Sequence, residues 1–333
     1  MLRSCSLEVH DPVPDPTPLV TIITPAFNRA DYLGDVIESV LQQDYPNIEH
    51  IVLDDGSTDS TSQVIGRFTP RIRAVSHANI GETRTVNRGF ELATGEILGV
   101  VNSDDPLLPG AVRSAVRALT SHPDLVVVYP DWVMIDQNGS VLENVTTHEY
   151  NYVDMIRWHH CVPGPGTFFR HELADVLGGR DLQFRYVADF DFWLRAGLVG
   201  PFRRLPETLA TFRSHPGGAT SKAQGRAMAE EHLRLVRKIF ALPNVPDEVR
   251  AVRREAFGSA NYVAGAVLGG GSSLLKKRYF ATALLMSPKK YRSEYRERLP
   301  VMRSELRYGW RQHAMDLVRR AMRQRRSADT TST

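Results

Sequence analysis

Residues 19–61, "LVTIITPAFNRADYLGDVIESVLQQDYPNIEHIVLDDGSTDST", carry two apolar runs, "LVTIIT" (19–24) and "HIVLD" (50–54), on either side of a helix-patterned segment at 31–43. Strand, helix and strand in that order predict a right-handed βαβ unit with its strands parallel. The runs are apolar throughout rather than alternating, which fits a sheet covered on both faces. The same rhythm continues outward. Strand-like runs recur at "RIRAV" (71–75), "EILGVV" (96–101) and "LVVVY" (125–129), and helix-patterned segments lie at 58–68, 82–93 and 110–120. The first half of the chain therefore reads as an α/β domain with a mostly parallel sheet.

Beyond residue 130 the pattern changes. "DWVMIDQNGSVLENV" (131–145) predicts a hairpin turning at Asn138-Gly139. A Gly/Pro-rich loop follows at 161–172, and a helix is expected from about Asp189. Residues 222–326 look mainly helical, with a Gly-rich break at 267–278. The expected organisation is an extended Pro-rich lead-in over 1–17, an α/β domain over 18–221 and a helical, basic extension over 222–333.

With 333 residues, 42% of them hydrophobic, the chain can bury one large core. A formal net charge of +3 excludes the whole chain as a polyanion binder. The positive charge gathers in 301–326, where eight arginines face two acids. Leu306, Trp310, Met315, Leu317, Val318 and Met322 among those arginines suggest an amphipathic helix. Its basic face suits solvent or peripheral contact with an anionic membrane; no recognition motif accompanies it, so no nucleic-acid partner is expected. Two cysteines build neither a disulfide framework nor a zinc site. The first ten residues lack a signal-peptide core, and no apolar run is long enough to span a bilayer. The expectation is a soluble cytoplasmic protein, with any membrane contact peripheral and at the inner face.

Ligands of parallel α/β sheets bind beyond the C-terminal ends of the strands. Here three such ends are polar: "TPAFNRAD" (24–31), "DDGSTDST" (54–61) and "NSDD" (102–105). Neither GxxxxGK[ST] nor GxGxxG is present. Carboxylates stand where those folds place glycines, so phosphate binding would run through a divalent metal, Mg²⁺ or Mn²⁺.

Four segments in order carry a resemblance: the stretch from "ITPAFNRAD" to "DDGSTDST", "NIGETRTVNRGFELATGEILGVVNSDD" (79–105), "YVADFDFWLRAG" (186–197) and "FRSHPGGATS" (212–221). Together they resemble the family 2 glycosyltransferases of the GT-A fold, which are inverting, metal-dependent enzymes using nucleotide sugars. The resemblance covers about residues 18–221. It implies a Rossmann-like, mostly parallel sheet with helices on both faces, and transfer of a sugar from a nucleoside diphosphate, UDP or dTDP favoured, to a hydroxyl of a glycan or lipid-linked glycan.

Carried over by position, the resemblance assigns Thr24, Pro25, Ala26 and Asn28 to the nucleotide pocket and Asp55 to the base N3–H. Asn102, Ser103 and Asp104 occupy the DxD position; Asp104 would bind the metal and His215 would complete its site. Asn102 departs from the usual aspartate, although its amide oxygen can still take a cation or a ribose hydroxyl. Arg84 stands where it could meet the pyrophosphate. Asp189 matches the general base, with Asp191 competing for that role, and Asp191 and Trp193 would border the acceptor pocket. Plainer readings stand beside these: Asp104–Asp105 as a turn and cap, "DDGSTDST" as a capping loop, Asp191 as an intrahelical salt bridge, and His159 and His160 as solvated or acceptor-side residues. Two rival functions use similar architecture, a nucleotidyltransferase and a non-catalytic nucleotide-sugar-binding scaffold.

Overall fold

The computed structural model describes residues 17–218, 225–268 and 274–287. Most of the lead-in, the glycines at 269–271, the end of the "HPGGATS" loop and the basic segment 301–326 lie outside the described residues. So does the proposed membrane contact.

The βαβ unit forms as its pattern dictates. Strand β1 (Val20–Ala26) and strand β2 (Ile48–Asp54) run parallel, with Val20 opposite Ile48 and Ala26 opposite Asp54. Every residue of β1 is buried. Helix α1 (Leu33–Leu41) buries Leu33, Val36, Ile37 and Val40, the i, i+3, i+4, i+7 stripe of an amphipathic helix. The side chains of β1 alternate between two layers. Val20 and Ile22 join Val36, Val112, Val116 and Leu119 in the core beneath α1 and α4 (Ala111–Ser121). Ile23 points the other way, toward α3 (Glu82–Leu92), where a Cβ on Gly89 would come within 2.4 Å of its Cγ2. Glycine at 89 is what lets that helix lie directly on the strand. Each fully buried Val or Ile of this sheet contributes roughly 1.5–3 kcal/mol relative to exposure.

Completing the parallel half are α2 (Thr61–Gly66), β3 (Arg73–Ser76) and β4 (Ile97–Val100). Among the described residues eight strands form one sheet in the order β3-β2-β1-β4-β7-β5-β6, with β8 paired to β5. The second half is mixed. β5 (Val127–Ile135) and β6 (Val141–Val145) are antiparallel and turn through Gly139, whose φ is +87°. The three-residue β7 (Phe168–Arg170) runs antiparallel to both β4 and β5, separating two strands that the sequence rhythm presents as consecutive. β8 (Phe202–Arg213) lies parallel to β5. Between β6 and β8 in chain order come α5 (Tyr152–Arg157), α6 (His171–Leu177) and α7 (Ala188–Ala196).

The described residues divide into two compact units, 17–152 with 161–218, and 153–160 with 225–268 and 274–287. The short segment 153–160 thus groups with the helices, inside what the sequence marks as the first domain. The second unit holds α8 (Arg226–Ala241), α9 (Asp247–Ala251), α10 (Arg253–Ala266) and α11 (Leu274–Met286). No helix among the described residues is long and apolar enough to cross a membrane.

Candidate active site

Parallel pairing of β1 with β2 and β4 brings three polar strand ends to one edge of the sheet. Backbone and side-chain bonds then tie the loops together. Asn28, at a left-handed φ of +52°, accepts from Thr58 N at 2.8 Å through Oδ1 and donates its own N–H to Ser57 Oγ at 2.9 Å. Arg29 N donates to Thr61 Oγ1 at 2.8 Å. Gly56 sits so tightly under the next loop that a Cβ would lie 2.7 Å from Asn79 N.

Asp55 is buried, and its carboxylate accepts from Ile80 N at 2.7 Å and Gly81 N at 3.0 Å. These amides open α3, whose N-cap is a glycine without a capping side chain. A carboxylate from β2's end thus supplies the cap and meets the positive end of the helix dipole. The side chain of Thr24 is also turned inward, 3.0 Å from His50 Nε2, and Pro25 and Ala26 are buried in β1. The hydroxyl of Thr24 is thus engaged inside the sheet, and its backbone remains at the strand end.

Asp104 and Asp105 behave differently. Asp104 Oδ2 lies 3.0 Å from His215 Nε2 and 3.3 Å from Arg29 Nε, with its side chain 14% exposed. Asp105 is buried; it accepts from Arg213 N at 2.7 Å and from Asn102 Nδ2 at 3.0 Å. Burial first, and then the Asp104 charge, raise its carboxyl pKa. Arg213 closes the arrangement from β8, donating Nε to Asp104 O at 3.0 Å and lying 4.9 Å over the ring of Tyr32. Tyr32 in turn tilts against the His215 ring at 4.6 Å. Only the first aspartate of the pair keeps some exposure; the second fastens the loop to β8. Asn102 stays exposed with its amide nitrogen on Asp105, Ser103 is buried, and Arg84 is exposed on α3.

Asp189 occupies the first turn of α7 and is exposed. Glu82 is the first residue of α3. Glu82 lies 3.7 Å from Arg180 and is 55% exposed. The surrounding walls raise its carboxyl pKa by desolvation, Asp189 and Asp104 add to the rise, and Arg180 and Arg29 oppose it. The loop bearing Arg180 is latched to α3 by two bonds of 2.8 Å between Asn87 and Arg180.

Asp191 and Trp193 depart from expectation. Asp191 is fully buried and held by Arg195 Nε at 2.8 Å, so the intrahelical salt-bridge reading is the correct one. Trp193 is packed edge-on to Phe169, Phe192 and Phe202 at centroid distances of 5.5, 5.1 and 6.3 Å. Both side chains are buried while Asp189 is exposed, which takes both away from a solvent-facing acceptor pocket. His159 is buried too, its Nε2 3.0 Å from His232 Nδ1 within the helical unit, rather than solvated. Sequence reasoning missed Arg29, Glu82 and Arg180. The position of Arg29 in a polar strand-end loop was the available signal; Glu82 follows directly on the glycine that Asp55 caps.

Asp104 and His215 offer one hard carboxylate oxygen and one imidazole nitrogen, and no cluster of three or more His, Cys, Asp or Glu suited to a metal occurs among the described residues. Two protein ligands fit a Mg²⁺ or Mn²⁺ ion that shares its shell with substrate phosphates and water. They do not make an all-protein cage.

Residues 21–177 match the model of the family described as glycosyl transferase family 2. Hyaluronan synthase of Pasteurella multocida is 29% identical over 205 residues, 60% of this chain and 21% of that protein. Chondroitin synthase of Escherichia coli is 28% identical over 227 residues, 66% of this chain and 32% of that protein. The chain thus spans about a fifth to a third of the length of these curated relatives. Two solved structures share the fold. TarS 1–349 of S. aureus, in complex with UDP-GlcNAc, has a TM-score of 0.59 at 17% identity, covering 83% of this chain and 92% of that one. The mannosyltransferase PcManGT of Pyrobaculum calidifontis, in complex with GDP-Man and Mn²⁺, has a TM-score of 0.56 at 19% identity, covering 85% and 84%. The sheet is that of a GT-A glycosyltransferase.

Proposed function

Residues 21–177 match the glycosyl transferase family 2 model, and on that match we propose that this chain is a family 2 glycosyltransferase that transfers a sugar, with inversion, from a nucleoside-diphosphate sugar to a hydroxyl of a glycan or lipid-linked glycan. The observation that carries this reading is the meeting of Asp104, His215 and Arg29 at the strand-end edge.

The donor's diphosphate would lie at Asp104 and His215, with the nucleoside toward the ends of β1 and β2. Thr24, Pro25, Ala26, Asn28 and Asp55 border that end, and Asn102 and Ser103 lead into the metal ligand. UDP or dTDP fits the remaining acceptor capacity of Asp55, since each carboxylate oxygen can accept beyond its backbone bond. Arg84 would approach the diphosphate from α3. Arg29, already against Asp104, brings positive charge to the side where the leaving group develops negative charge. A bound Mg²⁺ or Mn²⁺, held by Asp104 and His215, supplies Lewis-acid stabilisation of that leaving group. The support from the fold is the PcManGT complex, which contains Mn²⁺ with GDP-Man.

On the opposite side, Asp189 takes the proton of the acceptor hydroxyl as its oxygen bonds to the anomeric carbon and the bond to the diphosphate breaks. Its exposure on the first turn of α7 leaves it reachable by an incoming alcohol. The test is a thermal-shift panel of nucleoside diphosphates and nucleotide sugars with and without Mn²⁺, on the parent chain and on Asp104→Ala. A ligand that binds only the folded state raises its melting temperature. Stabilisation by UDP with Mn²⁺ that disappears in the variant is the expected result; no shift with any nucleotide refutes the proposal.

A further inference from the structure

The helical unit holds a concave site of its own. Helices α8, α10 and α11 wall a cavity of ≈ 660 Å³. Arg226, Arg234 and Arg237 line it from α8 and Arg278 lines it from α11, against one acid, Glu230. Glu230 is bonded to Arg226 at 2.6 Å, and Arg234 pairs with Glu231 at 3.5 Å. Arg237 and Arg278 are both exposed and have no acidic partner among the described residues. Two uncompensated guanidinium groups therefore border one cavity.

Most of the remaining lining is apolar. Leu233 and Tyr279 are buried, and Phe257, Leu275 and Met286 are partly so. On α11, Leu275, Tyr279, Thr282 and Met286 follow at i, i+4, i+7 and i+11, so one face of that helix supplies the wall. The neutral polar side chains are already engaged: Asn261 donates to Phe257 O at 2.8 Å and Thr282 to Arg278 O at 2.9 Å. A hydroxyl-rich sugar would find few partners there. Nor does the charge suit the chain's own segment 301–326, with its eight arginines and two acids.

We propose that this groove binds an anionic lipid, a phosphate ester on an aliphatic chain. Arg237 and Arg278 take the phosphate oxygens through charge-assisted hydrogen bonds, and Leu233, Phe257 and Leu275 cover the adjoining methylenes. This site is lined by residues of the helical unit alone and is tested by binding.

The full chain is titrated calorimetrically with farnesyl phosphate below its micelle concentration, and separately with inorganic phosphate and with farnesol. Farnesyl phosphate is expected to bind tighter than either fragment by about tenfold or more. The double variant R237E/R278E is expected to lose that binding by about tenfold or more while keeping its circular dichroism. Thr282→Trp, which fills the groove without touching its charge, is expected to lose it as well. Charge reversal at the exposed Arg67 and Arg71 is expected to leave it unchanged. Equal binding of inorganic phosphate or of farnesol, full binding by the double variant, or no binding of farnesyl phosphate overturns the proposal. Nucleotide stabilisation, measured on the same variants, is expected to be untouched, so failure at this groove is distinguishable from failure at the donor site.

Discussion

His215 Nε2 lies 3.0 Å from Asp104 Oδ2, a contact between residues 111 positions apart. The histidine follows β8 and the aspartate follows β4, and Arg213, two residues before the histidine, holds the backbone of the aspartate loop. A side chain at the end of the domain is thereby fixed against the end of its central sheet. If this pair holds the donor's diphosphate with a metal, His215→Ala should weaken Mn²⁺-dependent UDP binding by about tenfold to a hundredfold. Calorimetry with and without Mn²⁺ measures it, and an unchanged affinity removes His215 from the site.

Asp189→Asn keeps the shape of the side chain and removes its capacity to take a proton. Turnover should fall by about 10²–10⁴-fold, with the donor Kd unaltered. Mass-spectrometric product assay alongside donor titration separates the two quantities. Turnover within a fewfold of the parent chain would show that another group is the base.

Asp55→Ala leaves Ile80 N and Gly81 N without the carboxylate that caps α3. Charge-assisted bonds are worth about 1.5 kcal/mol each at such part-buried donors, so the loss of both is expected to cost about 3 kcal/mol in urea unfolding. Asp55→Asn, which keeps one acceptor oxygen, should lose less. Equal loss in both variants would mean that charge, not acceptor number, sets the effect.

Stability should also depend on pH through His50. Its ring is buried beside Thr24, and burial pushes its pKa down to about 3. The unfolded chain binds the proton near the ordinary histidine pKa of about 6.5, so stability is complete above that value and falls as pH drops below it. At pH 5 the loss from such a histidine is about 2 kcal/mol. Buried His159, whose pKa is likewise lowered by burial and by His232, acts in the same direction in the helical unit. His50→Gln should flatten the fall in urea midpoint between pH 7 and 5; a slope equal to that of the parent chain would assign the effect elsewhere.

The sequence alone determined the α/β class, the parallel half of the sheet and the polar edge where its strands end. Those features are local: a strand buried on both faces must be apolar along its length, and β1 is buried at every position. The hairpin at Gly139 was equally legible, because left-handed backbone there selects its residues. Only the tertiary structure decided that the three residues of β7 separate β4 from β5, and that segment 153–160 belongs with the helices. It alone divided Asp104 from Asp105 and Asp189 from Asp191, neighbours with identical chemistry and opposite surroundings. It also brought Arg29 against Asp104. Each of these depends on partners far away in the chain, and no local pattern encodes which distant side chain will close on a given carboxylate.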